Sequence, residues 1–278
     1  MITVTLTTDW GGDGLYSGAF KGRLVHCVPG IQLIDITHSV DALNPAMAVY
    51  ALHNGYSFFA DNTIHVVGVG GNVGNEHVLE SREFICFEYN KHYFIGPNNG
   101  MWEMLFGEVP EEVYVLDYTP QYTSFPELNI YVEAILQLSL GKHPYEIGHL
   151  GTCKLGRLIS LPARKSNELL GIFQYFDVYG NGITNISQEE FYDAAQGRSF
   201  SIIVGSDRAQ FVTDFIAQDY SEGDPSKILA LFSFTGFLEI CVPSSQLTKF
   251  LHIEKNTKIL VRFFDGSEDV KIENGKLF

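Results

Sequence analysis

A chain of 278 residues, 45% hydrophobic and 18% charged, is long enough for one large domain or two medium ones and has the make-up of an ordinary globular protein. Its formal net charge of −15, from 33 acids against 18 Lys and Arg, argues against nucleic acid as a partner and suits a small neutral or cationic ligand. No apolar run approaches the roughly 18 residues that span a bilayer, and four scattered cysteines without a CxxC pair and nine scattered histidines without an HExxH argue against a disulfide framework or a built-in metal.

Met1 leads straight into the strand-like "ITVTLTT" (2–8), with no basic leader before it, so the chain is read as cytoplasmic with no membrane partner. A helix follows from Leu15 to about Val28, closed by Pro29-Gly30, then the strand "IQLIDI" (31–36). The stretch 44–58 opens a helix with Asn44 as N-cap and Pro45 at the first helical position. "TIHVVGV" (63–69) is a buried strand, and "EFICFEYNKHYFIG" is a hairpin turning at Asn90-Lys91. A short helix near Gly100–Phe106, the strand "EVYVL" and a helix over roughly Leu128–Leu140 complete this half. Strands alternating with helices call for a largely parallel sheet covered on both faces.

From about Leu169 the pattern changes to strand-like runs, "LLGIFQYF", "SFSIIVG", "ILALFSF", "FLEICV" and "KILVRFF". Two short helices interrupt them: "SQEEFYDAA", with a Ser187/Glu190 capping box, and "SSQLTKFL". This half reads as an antiparallel barrel or sandwich. The predicted division is an α/β domain over 1–150, a linker over 151–167 rich in Gly, Pro and basic residues, and a β domain over 168–278.

Several loops carry candidate chemistry. In "GVGGNVG", Val73 stands where a dinucleotide fingerprint needs its third glycine, and Gly74 is followed by Asn75 rather than the Lys of a P-loop. It remains a tight turn or a ligand loop at a strand's C-terminal end. Asp9, just past the first strand, is placed either to grip vicinal ribose hydroxyls or to cap a turn. "FIGPNNGMW" reads as turn chemistry. "FDVYGNGITNI" imitates a calcium loop with Asp177, Asn181 and Gly182, but Tyr179 stands where an oxygen ligand belongs and Gln188 stands in place of the final glutamate.

Taken together, "TDWGGDGLYSGAFKG", "LIDITHSV", "HVVGVGGNVGNEH", "FIGPNNG", "DVYGNGITNI" and "SFTGFLEICV" resemble, in order and over nearly the whole chain, the family of S-adenosylmethionine (SAM)-cleaving enzymes that includes the SAM hydroxide adenosyltransferases, the fluorinase and the chlorinase. The resemblance implies a Rossmann-like, mostly parallel N-terminal domain, a C-terminal antiparallel β-barrel and a homotrimer with SAM held between one subunit's N-terminal domain and its neighbour's barrel. SAM would be substrate or ligand, with no separate cofactor and no metal. Position by position, Asp9 would hold the ribose hydroxyls, Asp177 would meet the methionine ammonium, Tyr179 would stack on adenine and Asn181 would hydrogen-bond it. Phe234 to Val242 would contribute backbone, with Ser233 and Thr235 near the methionine carboxylate. Asp13, Tyr16, Gly70 and Asn98, from the same matching blocks, complete the implied ligand set.

The reaction centre departs from the family. Hydroxide-transferring members read Asp-Pro-Gly-Val-Gly, then Arg, with a His from a later Phe-His-Gly-Arg-Asp stretch. This chain has Gly70-Gly71-Asn72-Val73-Gly74, then Glu76-His77-Val78, and Phe125-Pro126-Glu127-Leu128-Asn129. The halogenases put Tyr where Gly70 stands and Ser or Gly where Glu127 stands, and a carboxylate would repel a halide. Asp13 neighbours the position, Gly14, where the family has a second Asp. Two functions follow: SAM hydrolysis at C5′ with His77 or Glu127 as base, or an adenosyl-binding pseudoenzyme.

Overall fold

The computed structural model describes residues 2–42, 45–70, 83–119, 121–122, 124–156, 162–206, 209–243, 245–251, 257–265, 272–273 and 276–277. The chain divides into two compact units, Met1–Ile159 and Ser160–Phe278. No helix among the described residues is long and apolar enough to cross a membrane.

The first unit contains β1 (Thr3–Thr8), α1 (Leu15–Cys27), β2 (Gln32–Thr37), α2 (Pro45–His53), β3 (Ile64–Gly68), β4 (Phe84–Tyr89), β5 (His92–Pro97), α3 (Met101–Phe106), β6 (Val113–Leu116), α4 (Glu127–Ser139) and β7 (Gly148–Gly151). Its seven strands run in the order β2-β1-β3-β5-β4-β6-β7. The first four of these are mutually parallel, while β4 lies antiparallel to both its neighbours and β7 antiparallel to β6. Every residue of β3 is buried, and successive ones serve opposite faces. Val66 packs with Phe20 and Leu24 of α1 and Ile130 and Ile135 of α4. Val67 packs with Val49 and Leu52 of α2 and Trp102 and Leu105 of α3. That is why the strand reads as an unbroken apolar run. The hairpin turns where expected, with Asn90 and Lys91 both at positive φ (48° and 65°), the primed-turn geometry. The helix of 44–58 is shorter than the sequence implies and gives way to a 3₁₀ turn at Tyr56–Phe58; its expected cap Asn44 lies outside the described residues.

The second unit contains β8 (Ala163–Arg164), β9 (Glu168–Phe176), β10 (Gly182–Ser187), α5 (Gln188–Ala195), β11 (Ser199–Ser206), β12 (Ala209–Thr213), β13 (Ile216–Ala217), β14 (Leu229–Phe232), β15 (Phe237–Cys241), α6 (Leu247–Leu251) and β16 (Lys258–Phe264). Its sheet follows β12-β11-β16-β9-β10-β15-β14-β13, with β8 added on β9, and every pairing is antiparallel except β13 with β14. The barrel expectation needs correction here: the sheet curls into a half-barrel, and among the described residues its end strands β12 and β13 do not pair to close it. Both edge strands are short, and β13 offers two residues, too few to zip a cylinder shut. Along β16 buried and half-exposed residues alternate, and Ile259, Val261 and Phe263 face a core that includes Phe191 of α5. The Ser187 capping box starts α5 as expected: its Oγ accepts from the Glu190 N–H at 3.1 Å while its own N–H donates to Glu190 Oε2 at 3.0 Å.

Candidate functional site

The C-terminal ends of β1 and β3 bring Asp9 and Gly70 together. The Asp9 N–H continues the ladder to the Gly68 carbonyl at 3.0 Å, and its carboxylate Oδ2 accepts from the Gly70 N–H at 2.9 Å. Gly70 sits at φ +69°, a conformation glycine reaches without penalty, which turns its N–H toward Asp9. Burial raises the Asp9 pKa above the usual carboxylate value, opposed by the hydrogen bonds from Gly70 and from its own backbone. Next to it, Trp10 is 8% exposed and packs between Phe20 and Phe125, at 4.9 and 5.0 Å. Tyr16 sets its ring edge-on to Phe125 at 5.1 Å, half exposed, and Asp13 is exposed on the same β1–α1 connection.

Asn98 is spent within the chain. Its side-chain N–H groups donate to Glu83 Oε2 and the Thr152 carbonyl, both at 2.9 Å, and its Oδ1 accepts from Lys154 N at 2.8 Å. It is 4% exposed and ties the end of β5 to the segment after β7. Its exposed neighbour Asn99 bonds the Val69 carbonyl at 3.2 Å and so steadies the loop leading to Gly70.

Glu127 opens α4 after Pro126, where the helix dipole favours a carboxylate. It is 1% exposed and close enough to Tyr131 for its charge, after burial, to raise that phenol's pKa well above the ordinary value; the charge of Asp9 acts in the same direction. Tyr131 donates to the Val67 carbonyl at 3.2 Å. The charges of Glu127 and Asp9 thus both act on Tyr131, whose hydroxyl is tied to the β3 carbonyl of Val67. His77, the other candidate base, lies outside the described residues, as do Gly71 to Arg82 as a whole.

In the second unit Asp177 organises the turn between β9 and β10. Its Oδ1 accepts from the N–H groups of Tyr179 (2.9 Å) and Asn181 (2.8 Å), and its Oδ2 accepts from Asn181 Nδ2 at 3.1 Å. Beside this turn is a cavity of about 780 Å³ whose walls include Tyr179, Asn181, Tyr220, Val242 and Lys249. Tyr179 is 75% exposed, whereas Asn181 is 9% and Val242 2% exposed. Ser233, Phe234 and Thr235 do not line it; they form the β14–β15 turn, where the Ser233 and Thr235 hydroxyls meet at 2.6 Å and Phe234 is 86% exposed.

Residues 4–148 match the SAM hydroxide adenosyltransferase N-terminal domain and residues 171–260 match its C-terminal domain. The chain belongs to the SAM hydroxide adenosyltransferase family. It is 24% identical over 266 residues to the (R)-S-adenosyl-L-methionine hydrolase of Methanocaldococcus jannaschii, covering 90% of this chain and 92% of that one. Its fold is that of an uncharacterized conserved protein from Thermotoga maritima (TM-score 0.79, 23% identity, 94% of this chain and all of that one). It is also that of a conserved hypothetical protein from Thermus thermophilus (TM-score 0.68, 19% identity, 95% and 100%).

Polar groups that the sequence analysis passed over stand on and behind the cavity wall of the second unit. Glu239 of β15 is 3% exposed and accepts from the Tyr220 hydroxyl at 2.8 Å. Burial raises its pKa, as does the charge of Asp177, against hydrogen bonds from Tyr220 and Asn181 that lower it. Cys241, on the cavity wall, has its thiol pushed up to about 12 by burial first and by Glu239 and Asp177 next, so it stays protonated. The available signal was one acid inside the apolar run "FLEICV", where a strand would otherwise place a core residue.

Proposed function

We propose that this member of the SAM hydroxide adenosyltransferase family cleaves SAM with water, giving adenosine and methionine. The observation that carries this is the match to a SAM hydrolase along 90% of the chain, running through both units. Water attacks the ribose C5′, a C–O bond forms as the C–S bond breaks, the electron pair leaves with sulfur, and one water proton is released. A sulfonium departs as a neutral thioether and needs no acid, so the site's work is to orient and desolvate the nucleophile. Asp9 is assigned to the ribose hydroxyls: a carboxylate accepts from both at once, and the Gly70 N–H fixes its plane. Asp177, Tyr179 and Asn181 are assigned to the ligand's other end and to adenine. The proton goes to His77 or Glu127, and the working assembly is a homotrimer.

Incubation with SAM in ¹⁸O-water is expected to release adenosine and methionine in equal amounts, with the label in the adenosine 5′-hydroxyl. Replacing Asp9 by Asn is expected to cut turnover at least about tenfold, since one hydrogen bond to a charged group is lost. No product above background would overturn the hydrolase reading. Saturable SAM binding without product would assign the chain to the second function, an adenosyl-binding protein without catalysis.

A further inference from the structure

The strand end that carries Asp9 is clamped by one buried histidine. His38, 6% exposed, follows β2 and sets its Nδ1 2.6 Å from the hydroxyl of Thr8, the fully buried last residue of β1. That hydroxyl also accepts from the Trp10 N–H at 3.3 Å, the turn-forming bond a threonine makes two residues on. The His38 carbonyl accepts from the Gly11 N–H at 2.9 Å, and the Val40 N–H donates to the Thr8 carbonyl at 3.2 Å. Residues on both sides of Asp9 are thus tied to the His38 segment, while Asp9 itself is bonded to Gly68 and Gly70.

Asp35 stands behind the imidazole. Its Oδ1 is 3.0 Å from His38 Nε2, an ion-pair distance although the ring N–H is not aligned on it, and its Oδ2 accepts from Lys21 Nζ at 2.6 Å. A carboxylate facing Nε2 favours the hydrogen on that nitrogen, which leaves Nδ1 of the neutral ring as an acceptor. The Thr8 O–H then donates to Nδ1 and keeps a lone pair for the Trp10 N–H. Asp35 and His38 share a side because β2 carries an extra residue. Leu6 pairs with Asp35 but Thr7 with Thr37, and the skipped Ile36 offsets the alternation that sends residues three apart to opposite faces.

We propose that His38 is a positioning residue for the ribose subsite: through Thr8 it fixes the strand end from which Asp9 reaches the vicinal hydroxyls, and Asp35 sets the tautomer in which Nδ1 accepts. The inference rests on the assignment of Asp9 to the ribose, and it adds the residue that holds that carboxylate in place. Being buried, His38 acts through the strand end rather than on the ligand, and a misplacement of about 1 Å is enough to cost about a hundredfold.

The test is the ratio of adenosine to 2′,3′-dideoxyadenosine affinity, measured by calorimetry on the full-length protein. The unaltered protein is expected to favour adenosine at least about a hundredfold, since two hydrogen bonds to a charged group are at stake, and Asp9→Ala is expected to erase the preference. His38→Leu and Thr8→Val are each expected to narrow the ratio at least about tenfold, by weakening adenosine alone. His38→Asn, whose amide oxygen stands one bond beyond Cγ as Nδ1 does, is expected to keep the ratio within about threefold. A merely structural role would weaken both nucleosides together, so an unchanged ratio in His38→Leu overturns the inference. A loss in His38→Asn as large as in His38→Leu overturns it as well. Should His38→Leu fail to fold, Thr8→Val carries the same expectation and the same refutation. Equal affinity of the unaltered protein for the two nucleosides, or a preference that survives Asp9→Ala, would remove the ribose assignment of Asp9. Binding of neither nucleoside would remove the adenosyl reading itself, and the inference falls with either.

Discussion

The indole of Trp10 lies directly over Gly68: a Cβ added at residue 68 would stand 2.3 Å from Trp10 Cζ2 and 2.5 Å from Cε2. The indole cannot yield, because Phe20 and Phe125 flank it. Gly68→Ala is therefore expected to destabilise the protein by about 1–3 kcal/mol through overpacking. Since the Asp9 N–H is held by the Gly68 carbonyl, SAM turnover is expected to fall as well. Gly12→Ala is the control: nothing lies within 4 Å of its Cβ position, and its stability should stay within about 0.5 kcal/mol. Urea denaturation of the three proteins checks this.

Asn98 separates a structural role from a ligand role. With three internal hydrogen bonds on its amide, Asn98→Ala leaves Lys154 N and Glu83 without partners they now have. Stability is expected to drop by about 1 kcal/mol, the usual net worth of a hydrogen bond, because Glu83 and Lys154 are exposed enough for water to replace part of what is lost. Adenosine affinity of the folded fraction is expected to change less than about threefold. A large loss of affinity at unchanged stability would place Asn98 in the ligand set instead.

A buried chain runs from Thr5 through His65 to His92, with Thr5 Oγ1 2.7 Å from His65 Nδ1 and His65 Nε2 3.2 Å from His92 Nδ1. Burial, then the neighbouring His92, pushes the His65 pKa down to about 3; burial lowers that of His92 too. Below pH 6.5 the unfolded chain takes up a proton on His65 that the folded chain refuses until about pH 3. Stability is thus complete above pH 6.5 and declines as pH falls, by up to about 1.4 kcal/mol per unit from this residue. Denaturation at pH 7, 6 and 5, above the range of ordinary carboxylates, should show that slope, and His65→Gln should flatten it.

The hairpin at Asn90-Lys91 and the Ser187 cap were legible in the sequence because their signals are local, a two-residue turn and a four-residue box. The two faces of the parallel sheet were legible because β3 is apolar nearly throughout. Barrel closure was not: it depends on whether edge strands meet, and "AQFVT" and "IA" say nothing about their neighbours. Two short strands, β7 and β8, went unread inside the Gly- and Pro-bearing stretch 148–167, where pairing overrides weak propensity. Among the candidate residues of the two units, Asp9 and Asn181 stand out beside strand ends, whereas Glu239 hides in an apolar run. Its meaning comes from the Tyr220 hydroxyl, which only the folded chain brings to it.

The same two-residue turn has a kinetic consequence. Docking β4 onto β5 closes a minimal loop, while docking β1 onto β3 joins residues 60 apart, as Thr5 and His65 are. The hairpin is thus poised to assemble early during refolding, with the parallel strands that carry Asp9 joining later. In pulse-labelled hydrogen exchange the amides of Tyr89 and His92 should gain protection ahead of those of Val4 and Leu6.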